Sequence, residues 1–206
     1  PRPTGRGPPP DGPSERRVPI DHPATPAVRR SPSLAMVDAA SRRLSRREGH
    51  SVEERFGGAC GILAQRFDAP MVALLHFTDL ELVIDGVWTP ERYESQPGMA
   101  LDADDLPAGS PLRSLQQPIV LSLDQFGPDY AAVMRAAGYD LPVLVTPIID
   151  VDRVLGVLAV LTASAHDVGP DEAMAVQVCG ELIWRQRALD AVDRELRERV
   201  EVAELL

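Results

Sequence analysis

The chain of 206 residues contains no lysine; all 21 of its basic residues are arginine. The bias reflects coding composition and carries no mechanism by itself, but it excludes any motif that needs a lysine. Cysteine is scarce too. Cys60 and Cys179 are too few for a disulfide framework or a four-thiolate zinc site. So few thiols point to a reducing compartment, and a cytoplasmic location is expected. Long apolar runs are missing. Val154 to Leu161, for one, has only eight residues with Gly156 counted in, whereas a membrane-spanning helix needs about 20. The sequence also lacks a Ser/His/Asp constellation, a glycine-rich phosphate loop and a histidine-x-glutamate metal motif. The run Asp102, Asp104, Asp105 has neither the glycine nor the glutamate spacing of an EF-hand. No catalytic residue, no metal site and no enzyme activity are therefore expected.

What is present is the composition of an ordinary folded protein, 44% hydrophobic and 25% charged, which excludes a wholly disordered or collagen-like chain. The charge is unevenly spread. Through residue 50, ten arginines face five acids; beyond it, eleven face 26. The acidic part repels phosphate backbones, so nucleic-acid binding is not expected of it. Residues 1–32 hold ten of the 20 prolines and cannot bury enough apolar surface to offset their ordering entropy. They read as a disordered Pro/Arg-rich leader without the apolar region of a signal peptide. The first methionine is Met36, so the numbering starts inside a longer protein or the leader lies upstream of the true start.

Residues 33–50 read as a short N-terminal helix, with Leu34, Val37, Ala40 and Leu44 on one side and arginines crowding its end, where the helix dipole favours cations. Ser51 and Glu54 have capping-box spacing. The helix that follows, to about Phe67, carries an apolar stripe of Phe56, Cys60, Leu63 and Ala64. Met71–Phe77 and Leu80–Trp88 form two strands of a hairpin. Period-two alternation puts Val72, Leu74 and His76 on one face of the first strand and Met71, Ala73, Leu75 and Phe77 on the other. Residues 89–109 read as loop, Pro118–Leu123 as a short strand and Pro128–Ala137 as a helix stopped by Gly138. Leu141–Ile149 reads as a strand whose Pro142 and Pro147 suggest an edge or a bulge. After a tight connection comes the most apolar strand, Val154–Thr162, and Pro170 opens a last long helix.

An apolar strand ending in Thr146-Pro147-Ile148, a short polar hairpin, and Gly156-Val157-Leu158 opening the next strand make a recognisable order. A polar loop, an acidic cap at Asp171-Glu172 and a long amphipathic helix complete it. This order resembles the C-terminal half of a GAF domain, and the upstream helix and two strands are similar to its N-terminal half. The resemblance covers residues 51–188. It implies an α/β (α+β) fold: a GAF-like antiparallel sheet flanked by helices, with a long C-terminal helix and a ligand pocket on one face. It also implies a sensory or regulatory role in intracellular signal transduction, or a ligand-free dimerising scaffold. The lysine-containing motif of cyclic-nucleotide-binding members is absent. Each cysteine precedes glycine rather than the histidine that commonly follows a bilin-attachment cysteine. The sulfoxide-reducing members rely on more than two cysteines. No cofactor is assigned.

The candidate ligand-binding residues are His76, the one histidine on a core strand, and Trp88, Tyr93, Phe126, Tyr130 and Met134. These last five lie in the irregular stretch that forms the lid of GAF-like folds; they offer apolar bodies with a few polar tips. The bland alternatives are a strand-end histidine with backbone or water partners, and ordinary core aromatics. Cys60 and Cys179 read as buried structural thiols. In the last helix Leu182, Leu189 and Leu196 recur at sevens and form a candidate dimer seam, with residues 189–206 as a signalling or coiled-coil extension. Its companion positions, Val178, Arg185, Val192 and Arg199, alternate apolar and basic, which makes the seam weak. The expected partner is a second copy of the chain. Because the sequence ends in mid-pattern, an output domain (ANTAR, phosphatase or kinase) is expected beyond it.

Overall fold

The computed structural model describes residues 31–46, 48–79, 81–95, 99–102 and 111–204; the leader expectation lies outside them. Helix α1, Pro32–Ser45, begins where the Ser31 hydroxyl accepts from the Leu34 amide. It buries Met36, Ala40 and Leu44 and leaves Leu34 exposed. The expected stripe is therefore rotated toward Met36, because α1 packs on two helices at once, α2 and α4. Helix α2, Val52–Phe67, carries the expected capping box: the Glu54 amide donates to Ser51 Oγ at 3.1 Å and the Ser51 amide to Glu54 Oε2 at 2.8 Å. Its stripe of Phe56, Cys60, Leu63 and Ala64 is buried.

Strands β1, Met71–Phe77, and β2, Glu81–Trp88, form the expected antiparallel hairpin. The stretch read as loop contains two short strands, β3, Tyr93–Glu94, and β4, Met99–Asp102. Both lie on the free edge of β2, β3 against Val87 and Trp88 and β4 against Glu81–Ile84. Their pairing comes from unpaired backbone on β2, not from an apolar alternation of their own, so the sequence pattern does not announce them. Strand β5, Ile119–Leu121, precedes α3, Pro128–Ala136, which stops before Gly138 at φ +86°. Then come β6, Val143–Asp150, β7, Arg153–Leu161, and the 35-residue α4, Pro170–Glu204.

The seven strands among the described residues form one antiparallel sheet of order β3-β2-β1-β7-β6-β5, with β4 also on β2. Strand β6 is interior rather than an edge. Pro147 is tolerated there because β5 reaches only Val143–Val145, so among the described residues β6 has no strand neighbour at Pro147 on that side. A bulge does occur, between Ile148 and Ile149.

The sheet divides the core in two. Val72, Leu74, Leu144, Ile148, Leu158 and Val160 pack against α1, α2 and α4. Ala73, Leu75, Val145, Val157 and Leu161 pack against Leu112, Leu115, Leu123, Phe126, Ala131 and Met134. The alternation expected for β1 is the one found. No helix among the described residues is long and apolar enough to cross a membrane.

Candidate functional site

On the helix-covered face, where α4 leaves the body, a cleft of about 340 Å³ opens between α2, β1, β2, the β3 edge and α4. Its inner wall is built around Tyr93. A β-carbon at Gly57 would lie 2.8 Å from Tyr93 Cβ, and one at Gly86 would lie 2.2 Å from the Tyr93 hydroxyl. Two glycines, one on α2 and one on β2, thus make the space that seats this ring under α4. There the Tyr93 hydroxyl accepts from Arg187 Nη1 at 2.9 Å. The same guanidinium donates to the Asp85 carbonyl at 3.0 Å and lies 5.7 Å from the centre of the Phe56 ring. Burial pushes the Tyr93 phenol up to about 12, with the Arg187 charge partly opposing it. The hydroxyl therefore stays neutral and keeps its proton.

The Asp85 carboxylate sits between two cationic or potentially cationic partners. Oδ2 is 2.9 Å from His76 Nδ1 and Oδ1 is 3.7 Å from Arg187 Nη2. The second contact is longer than a hydrogen bond. The first is close but off-axis: Nδ1 is buried and makes no aligned hydrogen bond. His76 leans on Trp184 of α4, the rings 6.0 Å apart and tilted by 47°. Deeper along α4, Asp190 receives Arg55 Nη2 at 2.9 Å, and Arg55, 5% exposed, also donates to the Leu44 carbonyl at 3.2 Å. Ala188 and Ala191 face the cleft; their small side chains leave it unfilled.

The six candidate ligand residues do not share one cavity. His76 and Tyr93 line this cleft. Trp88 packs beside it on Gly61, where an added β-carbon would come within 3.3 Å of the indole nitrogen. Phe126, Tyr130 and Met134 belong to the core on the opposite face, with Phe126 and Tyr130 rings 5.9 Å apart. The sheet separates the two groups. The residues that complete the cleft, Asp85, Trp184, Arg187 and Asp190, are not among the candidates that the sequence pattern offers. One signal was available: Asp85 is an acid inside an otherwise apolar strand, LVIDGVW, where a charge is costly unless paired.

Of the seam leucines, Leu182 is half-buried against the helix-side core. Leu189 and Leu196 are 54% and 56% exposed, as are Val192 and Val200 at 54% and 56%. The exposed stripe therefore begins at Leu189 and runs along the projecting part of α4.

Cys60 and Cys179 are buried and free. Burial pushes both thiols up to about 12, opposed at Cys60 by the Arg187 charge. A thiol raised from its unfolded value of 9.0 adds stability that is complete below that value and is lost as pH climbs through the folded one. Stability is expected to fall between about pH 9 and 12, less steeply in the Cys60→Ala/Cys179→Ala variant, as urea titrations at stepped pH would show. Neither thiol should react with Ellman's reagent at pH 8 until the chain unfolds.

No family model and no curated protein sequence matches the chain. Solved structures do match in shape. The chromophore-binding domain of an unusual bacteriophytochrome from R. palustris superposes with a TM-score of 0.54 at 13% identity, covering 77% of this chain and 61% of that one. The GAF domain from Acinetobacter phosphoenolpyruvate-protein phosphotransferase gives 0.52 at 14% identity, covering 77% and 95%. The phycocyanobilin-bound GAF domain from a cyanobacterial phytochrome gives 0.54 at 17%, covering 76% and 96%. This chain thus spans under two thirds of the first of these and nearly all of the other two. Strand order, helix layers and these superpositions agree: the chain has the GAF fold.

Proposed function

We propose that the chain is a non-catalytic sensory and regulatory module of intracellular signalling. It binds a small molecule in the α2–α4 cleft and relays its state through α4, as a dimer, to an output domain. One observation carries this reading: the two faces of α4. At 100° per residue, Arg187, Asp190, Ala191 and Arg194 point to the cleft, while Leu189, Val192 and Leu196 form the exposed apolar stripe on the other side. An occupant that shifts the cleft side must move the stripe with it, because both belong to one rigid helix. Similarity in shape to the chromophore-binding and bilin-bound domains supports a sensory role.

A second reading, a ligand-free dimerisation scaffold, is favoured by the opposite sheet face. That is the face on which the lid residues were expected to enclose a ligand. Among the described residues, Leu112, Leu121, Leu123, Phe126, Val143, Val145 and Val157 are all buried there, an apolar packing that suits a scaffold. The two readings separate on Arg187→Met. This variant keeps the aliphatic stem and removes the hydrogen bonds to Tyr93 and Asp85. Under the relay reading, self-association measured by sedimentation weakens several-fold, because α4 is less ordered where it leaves the body. An unchanged association constant in a folded variant discards the relay and leaves the scaffold.

A further inference from the structure

The cleft holds an incomplete polar set. Asp85 is 18% exposed, yet its carboxylate has two ionic neighbours and no aligned hydrogen bond to either. Arg187 spends Nη1 on Tyr93 and the Asp85 carbonyl; among the described residues its Nη2 reaches only the distant Asp85 Oδ1. A carboxylate and a guanidinium thus flank the same opening as an ion pair 3.7 Å apart, too far for a hydrogen bond between them. Phe56, Tyr93 and Trp184 surround them, and Glu53, Asp190 and Arg194 stand around the cleft.

A purely anionic ligand would satisfy Arg187 but would be repelled by Asp85 and Glu53, Asp190 being paired with Arg55. A purely cationic one would satisfy Asp85 but meet Arg187 and Arg194. A ligand with both charges a few bonds apart satisfies both at once. Its ammonium donates to the Asp85 oxygens and its carboxylate accepts from Arg187 Nη2, the aromatic walls taking the remainder. The volume of about 340 Å³ lies at the small end of ligand pockets. The geometry points to a small zwitterion, with the charge pattern of a free α-amino acid, as the occupant. This inference rests on the sensory reading above and deepens it.

The test is calorimetric titration of the full chain with each proteinogenic amino acid in turn. For every binder, the matching decarboxylated amine and deaminated acid follow. At least one amino acid should bind, and its amine and acid should each bind about tenfold more weakly or worse, the loss expected for one charge-assisted contact. Asp85→Asn, nearly isosteric, should lower affinity by a similar factor. Ala188→Leu should abolish binding by filling the cleft while leaving both charges in place. The inference is overturned if no amino acid binds at about 10 mM, a ceiling corresponding to roughly 3 kcal/mol of binding. It is also overturned if an amine or acid alone binds as well as its zwitterion, or if both variants bind like wild type. Loss of the ligand class is distinguishable from loss of the relay, because Arg187→Met reads self-association without any ligand.

Discussion

Replacing Gly156 with alanine is expected to destabilise the protein by about 3 kcal/mol, the cost of overpacking a well-filled interior. That corresponds to a melting temperature lowered by roughly 10 °C for a chain of this size. Gly156 lies on β7 opposite His76 of β1 and Ile148 of β6. An added β-carbon would fall 2.2 Å from the Leu75 carbonyl oxygen and 3.0 Å from His76 Cα. Both are backbone atoms of a strand hydrogen-bonded on its two sides, to β2 and to β7. No rotamer change relieves the clash; β1 itself must move. The displacement would reach the cleft, since the same residue carries the His76 side chain. Gly169→Ala is the control. Nothing lies within 4 Å of an added β-carbon there; its carbonyl accepts from the Ala173 amide at the start of α4, so only the poorer capping by alanine counts, about 1 kcal/mol. Equal melting of the Gly156→Ala and Gly169→Ala proteins would show that the β1–β7 spacing does not depend on the missing side chain.

This glycine also shows what the sequence made legible. Gly156-Val157-Leu158 was recognisable as part of a family pattern, and the two-residue period of MVALLHF divided its side chains correctly between two cores. Ser51 and Glu54 announced a helix start that the structure realises atom for atom. These features are local: a cap spans three residues and an alternation spans seven. The cleft is not local. Arg187 and Asp85 lie 102 positions apart, and no periodicity links them. Tyr93 is in a segment that is polar and proline-rich in sequence. It reaches the helix-covered face because β3 borrows the edge of β2 and because Gly57 and Gly86 leave room for its ring. Each of those glycines alone looks like a weak spot in a helix or strand. Only their convergence on one tyrosine gives them a purpose. The lid residues failed to converge for a related reason. Sequence proximity grouped Trp88 and Tyr93 with Phe126 and Tyr130, while the chain between them passes from one side of the sheet to the other.

The Leu189→Asp protein is expected to be a folded monomer, with a self-association constant at least a hundredfold below that of wild type, about 3 kcal/mol. The projecting half of α4 carries little that holds it to the body. From Ala191 to Ala203 every described residue except Asp193 is exposed. At 1.5 Å per residue the whole helix is about 52 Å long, and its outer turns present Leu189, Val192, Leu196 and Val200 to solvent. Four large aliphatic residues on one stripe are an unpaired surface that a second copy of the same helix satisfies by symmetry. The pairing is limited by Arg185 and Arg199, which fall at companion positions and must direct their charges outward. Arg199 does so through Glu195 Oε1 at 2.5 Å. Micromolar association is therefore expected of the wild type, near enough to balance for a cleft occupant to shift it. An aspartate at position 189 buries an unpaired charge in the middle of the stripe. It leaves the monomer core untouched, because Leu189 is 54% exposed there. Circular dichroism and the melting temperature should thus stay near wild type while sedimentation across a concentration series shows one monomeric species. A variant that still associates like wild type would remove α4 from the interface and assign self-association to another surface.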